Sequence, residues 1–379
     1  MLHLNLDAIA NKIIYENNLI KGEKLGIGGF GIIYEVYHRE LKEVLAAKLV
    51  EKNKNSQYNE AEISKEICGP NIVKFYDIYE TKIDNHIYNL ILMEKAPLKD
   101  LYIFNNIMRN ENAMKLIFLN PFDIIGDNLL RFFFKQIIQG LETLDRGNFV
   151  HFNIKPQNFL IFNDMTLKLC DFCLLRNITS LRDLNNNIQM PGGTFGYLSP
   201  EYYKNNHIIN MNEANKQDFF ALGATLFFMK YGKEMIKFLK VPKSKNRDLI
   251  IADYLTEEIQ DSMEKIKATK SSSKSFIDFL CSLIQFNPKD RPSFEEIYRN
   301  KWINKNWKEL VEICQINSFD EQKLIIEINK SDFLIKKKKK IDIHRTQNYN
   351  NRNANDNNNR FHIYNHTNKF IFRINRRDA

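Results

Sequence analysis

Long apolar runs are absent from this chain. The longest, Phe219 to Met229, is too short to span a bilayer, which takes about 20 apolar residues. The start, MLHLNLDAIANK, has neither the basic opening nor the apolar core of a secretory leader. Cysteine is sparse as well. Five residues, at 68, 170, 173, 281 and 314, form no regular framework in a chain of 379, which argues against a disulfide scaffold and for a reducing interior. Cys170 and Cys173 make a CxxC, but no second pair completes a zinc site, so two small buried residues are expected there. Together these absences lead us to expect a soluble, intracellular, cytoplasmic protein.

A one-sided charge is also lacking over most of the length. Residues 1–332 hold 43 basic and 43 acidic groups, while residues 333–379 hold 12 and 3 and so carry the whole net charge of +9. The globular part therefore has no overall bias toward nucleic acid. The tail combines five consecutive lysines, Lys336–Lys340, with a stretch in which eight of residues 348–359 are Asn. Such a composition buries too little apolar surface to offset chain entropy, and disorder is expected over 333–379. The lysines read either as a solvated run or as a contact for an anionic surface, lipid or nucleic acid, or as a nuclear import signal. Residues 306–332 are expected to form a helical extension, and residues 1–18 a short lead-in.

What the sequence does contain is enough apolar material for a large core: 44% hydrophobic residues, 28 of them Phe. Within it, His151 to Cys173 reads as strand, loop, strand, with polar clusters at the ends of apolar runs. The first is His151-Phe-Asn153-Ile-Lys155-Pro-Gln-Asn158, the second Asp171-Phe172-Cys173. A lysine, an amide and a carboxylate at this spacing suit a site for Mg²⁺ and a polyphosphate, because hard oxygens take the metal and an ammonium takes phosphoryl charge. Upstream, Gly26-Ile27-Gly28-Gly29-Phe30-Gly31-Ile-Ile33 lies between two strand-like runs. A lone GxGxxG also occurs in dinucleotide-binding folds, where it opens a helix. Here Ile32 to Val36 favours a β-hairpin, and glycines in a hairpin let backbone N–H groups approach phosphates. Val44-Leu-Ala46-Ala47-Lys48 places one lysine in an apolar strand, where a solvated outer-face lysine is the plainer reading.

These motifs resemble those of the eukaryotic protein kinases of the serine/threonine type. The pattern H-R-D-L-K-x-x-N followed by D-F-G is similar to residues 151–158 and 171–173, and V-A-I-K is similar to the strand ending at Lys48. Eight motifs fall in family order across 19–305. The resemblance implies an α+β, two-lobed protein-kinase fold. It has a small β-rich N-terminal lobe with one helix (19–95) and a larger helical C-terminal lobe (96–305). It implies ATP and Mg²⁺ as cofactors and a protein Ser/Thr substrate or protein partner. Lys48 would contact phosphates and pair with Glu60, only 12 residues on, from a helix trimmed at its start. Gly26 to Gly31 would cover the phosphates, and Ile27, Ile33, Ala46, Met93 and Leu160 would line the nucleotide pocket. Backbone groups of Glu94 and Ala96 would meet adenine, and Asp100 the ribose. Asn158 and Asp171 would hold the metal, and Lys155 would face the transferred phosphoryl group. Glu201, Asp218 and Arg291 match scaffold positions.

Four departures from the family pattern matter. Asn153 stands where the catalytic Asp is expected, Phe152 where an Arg reads an activation-segment phosphate, and Cys173 where a glycine lets the metal loop swing. Ser64, one turn after Glu60, replaces an apolar side chain that packs on the metal-loop Phe. Residues 105–127 read as an insertion. An amide oxygen orients a hydroxyl but cannot take its proton, and a positioned base is worth roughly 10²–10⁴ in rate. The expectation is an ATP-binding, catalytically impaired pseudokinase. The alternative is a slow serine/threonine kinase.

Overall fold

In the computed structural model the described residues are 6–304, less 30, 53–59, 109–126, 164, 182, 184, 237–246 and 269–271. The expected helical extension and basic tail lie outside them, as does the greater part of the expected 105–127 insertion. The first lobe is a five-stranded antiparallel sheet in the order β1-β2-β3-β5-β4. Its strands are β1 (Leu19–Ile27), β2 (Gly31–His38), β3 (Glu43–Lys52), β4 (Phe75–Ile83) and β5 (His86–Glu94). The faces separate by alternation. Ile32, Tyr34 and Val36 of β2 point to one side with Leu45, Ala47 and Leu49 of β3, all buried. Ile33, Ala46 and Lys48 point to the other.

Helix α1 (Leu6–Glu16) covers the first side. Its buried Ile9, Ala10, Ile13 and Ile14 recur at helical spacing and join those strand residues in one core cluster. Asp7 at its start accepts a hydrogen bond from the Tyr34 hydroxyl and pairs with Lys24. Within the lead-in expected over 1–18, the described residues Leu6–Glu16 form a packed helix. The small lobe has α2 (Glu60–Glu66) on its opposite side, the helix expected from sequence, and α1 in addition.

The second lobe is built on two long helices. In α4 (Asp127–Arg146), Leu130, Phe133, Phe134, Ile137, Ile138, Leu141 and Leu144 are buried at intervals of three and four. Helix α7 (Asn215–Tyr231) is buried on all sides from Gln217 to Met229 and forms the axis of the lobe. Helix α3 (Leu101–Met108) takes in residues 105–108, so the first helix after β5 runs further than the insertion boundary expected from sequence. Between α4 and α7 come the short pairs β6 (Phe149–Val150) with β9 (Arg176–Asn177), and β7 (Phe159–Ile161) with β8 (Leu167–Leu169). A turn of helix α5 (Ile178–Leu181), strand β10 (Asn187–Gln189), helix α6 (Pro200–Lys204) and strand β11 (Ile208–Asn210) follow, with β10 pairing β11. Helices α8 (Arg247–Ala268), α9 (Lys274–Leu283) and α10 (Phe294–Arg299) complete the lobe.

Two polar clusters tie these pieces together. Asn71 fastens the lobes: its side chain donates to Leu167 O at 2.8 Å, and its own carbonyl accepts from Leu169 N at 2.8 Å. Arg291 is fully buried and forms a bidentate pair with Glu201 at 2.6 and 2.7 Å. It donates further to the carbonyls of Lys216 and Gln285, both at 2.8 Å, so every face of the guanidinium has an acceptor.

Candidate active site

The cleft between the lobes collects the polar residues singled out from sequence. The β-hairpin β1–β2 forms its roof. Gly31 sits where an added Cβ would lie 1.9 Å from the carbonyl oxygen of Leu49, so the close approach of β2 to β3 requires glycine. Gly26 and Ile27 end β1, Gly28 N donates to Gly31 O at 2.8 Å to close the tip, and Phe30 lies outside the described residues. Below the roof, Ile33 lies opposite Lys48 in the β2–β3 register and Ala46 lies opposite Met93 in the β3–β5 register. Leu160 is half-buried on β7 and bridges to Asp100. Ala46 and Met93 belong to one apolar cluster, and Ile33 and Leu160 pack against it.

At the end of β5, Glu94 N donates to Lys74 O at 3.0 Å. The Glu94 carboxylate is spent on structure: both oxygens accept from Lys168 at 2.8 Å, and one accepts from Lys74 N at 2.6 Å. Lys95 pairs with Glu35. Ala96 follows outside any helix or strand, and one oxygen of Asp100 accepts from Ile103 N at 2.9 Å, capping α3.

Deeper in, Lys48 is 6% exposed and its ammonium is shared three ways. It lies 2.7 and 2.8 Å from the Glu60 oxygens, 2.7 Å from Asp171 Oδ1 and 3.1 Å from Cys173 Sγ. Burial opposes the charge, but the Asp171 and Glu60 carboxylates outweigh it and hold Lys48 well above its ordinary pKa. Burial would likewise raise Asp171; the Lys48 charge and hydrogen bond overcome it and keep the carboxylate ionised. The short separation of Lys48 and Glu60 in sequence is therefore no obstacle to the pair.

The metal loop has an arrangement the sequence did not announce. Asp171 takes a positive φ of 65°, and Phe172 to Leu174 form a 3₁₀ turn. Cys173 is in an ordinary backbone region, so the residue in the glycine position imposes no strain here. Its thiol donates to Glu60 Oε2 at 2.9 Å, and Glu60 Oε1 accepts from Phe172 N at 3.2 Å. Burial, then the Glu60 charge, push the Cys173 thiol well up in pKa, so it stays protonated. The Phe172 ring is fully buried between Phe75 and His151, each with ring centroids 5.7 Å away. Phe75 reaches Phe172 from β4. The Ser64 side chain lies outside the described residues.

The loop before it hangs from α7. Asp218 accepts from His151 N at 2.8 Å and Phe152 N at 2.9 Å, which holds Phe152 at a positive φ of 60°. Burial pushes the Asp218 carboxyl up to about 7 against those two donors. Phe152 is buried in the apolar core and offers no charge. His151 accepts from Asn153 N at Nδ1, 3.2 Å, and donates from Nε2 to Cys170 O, 3.2 Å; burial lowers its pKa to about 4, so it is neutral. Asn158 Nδ2 donates to Asn153 O at 2.7 Å, and Asn158 O accepts from Cys170 N at 2.9 Å, joining the two polar clusters.

Asn153, Lys155 and Thr194 converge. The Thr194 hydroxyl donates to Asn153 Oδ1 at 2.9 Å and accepts from Lys155 Nζ at 3.0 Å. Burial lowers the Lys155 pKa, with Asp171 acting in the other direction. A hydroxyl is thereby held between an amide oxygen and an ammonium, the two functions that orient an acceptor and bear phosphoryl charge. A group able to take a proton is not part of this trio. Gly193 next to Thr194 lets the loop close, since a Cβ there would lie 2.9 Å from Phe152 O.

Comparison with known proteins agrees with this architecture. The protein kinase domain family model matches residues 19–303. Among relatives, an Aurora kinase of Saccharomyces cerevisiae is 26% identical over 325 residues, covering 79% of this chain and 76% of its own length. Mitogen-activated protein kinase kinase 2 of Arabidopsis thaliana is 26% identical over 74% of this chain and 71% of its own. Mitogen-activated protein kinase mpkC of Aspergillus clavatus is 24% identical over 75% and 67%. With the family model covering three quarters of its length and the two-lobed architecture in place, the chain belongs to the protein kinase family.

Proposed function

We propose that this protein binds Mg²⁺-ATP in the interlobe cleft and works as a catalytically impaired pseudokinase, a nucleotide-dependent scaffold or regulator of a protein partner. The observation that carries the reading is the contrast between two halves of one site. The nucleotide half has its charge set assembled: Glu60 and Asp171 both lie within 2.8 Å of the Lys48 ammonium. The transfer half has Asn153 in the base position, and an amide cannot accept the proton of an attacking hydroxyl.

The donor chemistry fits the cofactor. Asp171 and Asn158 offer hard oxygens to Mg²⁺, Lys48 offers charge to phosphates, and the hairpin tip offers backbone N–H groups with no Cβ at Gly31. Bound Mg²⁺ would neutralise phosphate charge. Ile33, Ala46, Met93 and Leu160 exclude water from the base, and Asn71 holds the lobes in register around it. A titration of the full chain with Mg²⁺-ATP tests this. Stabilisation of about 2.7 kcal/mol at 100 times Kd is expected, and it should vanish in Lys48→Ala. No nucleotide-dependent rise in melting temperature would end the reading.

A second reading, a slow serine/threonine kinase, is favoured by the Thr194 geometry. Asn153 and Lys155 hold that hydroxyl at 2.9 and 3.0 Å, as they would hold a substrate hydroxyl. Because phosphoryl transfer is largely dissociative, positioning and charge supply much of the rate, and water or a phosphate oxygen would take the proton.

A further inference from the structure

The hydrogen bonds that run from Lys155 through Thr194 to Asn153 have a direction. An ammonium can only donate, so Thr194 Oγ1 accepts from Lys155 Nζ at 3.0 Å and spends its own proton on Asn153 at 2.9 Å. The network thereby fixes the amide: Oδ1 is the acceptor, and Nδ2 is the other arm of the fork. The remaining polar groups of Asn153 are also committed. Its N–H donates to His151 Nδ1 at 3.2 Å, and its carbonyl accepts from Asn158 Nδ2 at 2.7 Å. Asn153 Nδ2 makes no hydrogen bond among the described residues. It is not one of the sealed, unpartnered atoms of the interior either, so it reaches solvent in the cleft.

A second observation concerns charge. Lys48 bonds two carboxylates, whereas among the described residues the Lys155 ammonium bonds only the neutral Thr194 hydroxyl and joins no ion pair. Burial lowers the Lys155 pKa, the mark of a cation that an anion beside it would stabilise. A carboxylate at position 153 would sit on the same hydroxyl and cancel that charge; Asn153 does not. One ammonium and one amide N–H are thus tied to a shared hydroxyl, a donor pair suited to the oxygens of a phosphate.

We propose that Asn153 Nδ2, together with Lys155 Nζ, grips the terminal phosphate of a nucleoside triphosphate, so that the cleft tells ATP from ADP. The proposal rests on the nucleotide reading above and deepens it. Asn153 is then a holder of the phosphate, and the residue type that removes the base supplies a donor in its place. An Asp in this position would turn an oxygen anion toward the phosphate and repel it. Exchanging that oxygen for an N–H removes a repulsion and adds a hydrogen bond, two effects of the same sign. ADP lacks the group that both donors read. The protein therefore dwells in its triphosphate-bound form and presents that state, rather than nucleotide in general, to its partner.

Calorimetric titration of the full chain with ADP and with the β,γ-imido analogue of ATP, both with Mg²⁺, tests this. The analogue is not cleaved, so binding alone is read. Wild type should bind the analogue at least about tenfold more tightly than ADP. Asn153→Asp keeps the shape and the Thr194 contact. It should weaken the analogue by about 10–100-fold and ADP by less than about threefold, whereas a merely structural role would move both alike. Lys155→Met should narrow the ratio as well. Equal affinities of wild type for the two nucleotides, or a ratio that Asn153→Asp leaves intact, overturn the proposal while the nucleotide reading stands. Binding of neither nucleotide by wild type ends both. The wild-type ratio and the Lys155→Met arm decide the matter even where Asn153→Asp fails to fold.

Discussion

Replacing Arg291 by Met should destabilise the protein by about 3–5 kcal/mol, because the substitution keeps the volume and strands a buried carboxylate. The guanidinium is fully buried and holds both oxygens of Glu201 at 2.6 and 2.7 Å. It also satisfies the carbonyls of Lys216, Gln285 and Phe286 at 2.8, 2.8 and 3.3 Å. Methionine supplies none of these donors. The Glu201 carboxylate is left unpaired in a dry site at the end of the segment that carries Thr194. At about 2–4 °C per kcal/mol for a domain of this size, the melting temperature should fall by roughly 6–20 °C. Urea unfolding at neutral pH measures the loss, and the double variant Arg291→Met, Glu201→Gln separates its causes. If the cost is the stranded charge, the double variant is more stable than the single one. A loss under about 1 kcal/mol, or a double variant less stable than Arg291→Met, refutes the reasoning.

At the transfer half of the site, Asn153→Asp keeps the shape and the Thr194 hydrogen bond while restoring a proton acceptor. Transfer of γ-phosphate to a Ser/Thr peptide should rise by about 10²–10⁴ over wild type, and an unchanged rate would show that a further residue blocks transfer. The roof is equally specific: Gly31→Ala drives a Cβ to 1.9 Å from Leu49 O and should cost about 1–3 kcal/mol in urea unfolding, with an unaltered midpoint contradicting the close approach. The acid dependence follows from His151, whose pKa falls from 6.5 to about 4 on burial. Its folded form binds fewer protons than the unfolded chain, so its contribution is full above 6.5 and is lost as pH falls toward 4. The stability advantage of wild type over His151→Gln should shrink by about 3 kcal/mol across that window, and a constant difference would refute the burial argument. Because Phe152 offers no cation to an activation-segment phosphate and β10 pairs β11 without one, phosphatase treatment should leave nucleotide affinity unchanged within about twofold.

Local order made much of this architecture readable in advance. Strand alternation around Lys48 and the polar spacing from His151 to Asn158 depend on neighbours in sequence, and they carry the family resemblance that implied the lobes, the cleft and the Lys48–Glu60 pair. What escaped were contacts between distant segments. Phe75 reaches Phe172 across nearly a hundred residues, and nothing near Phe75 marks it for that contact. The Cys173 thiol finds Glu60 over 113 positions. The Glu94 side chain finds Lys168 over 74, so sequence pointed to its backbone and was silent on its carboxylate. The lead-in expected before β1 was not assigned a helix or a packing partner, and its place became visible only once β2 put Tyr34 beside Asp7.

The central claim is that this cleft takes up Mg²⁺-ATP and fails to pass its phosphate on, and one paired measurement addresses it. Purified wild type and Lys48→Ala are titrated with Mg²⁺-ATP by calorimetry, and the same samples are assayed for γ-phosphate transfer to themselves and to a Ser/Thr peptide. The account predicts that wild type binds, that Lys48→Ala does not, and that transfer by wild type stays at the Lys48→Ala background. Binding with transfer clearly above that background would contradict it and make the chain a slow kinase; no binding by wild type would contradict it outright.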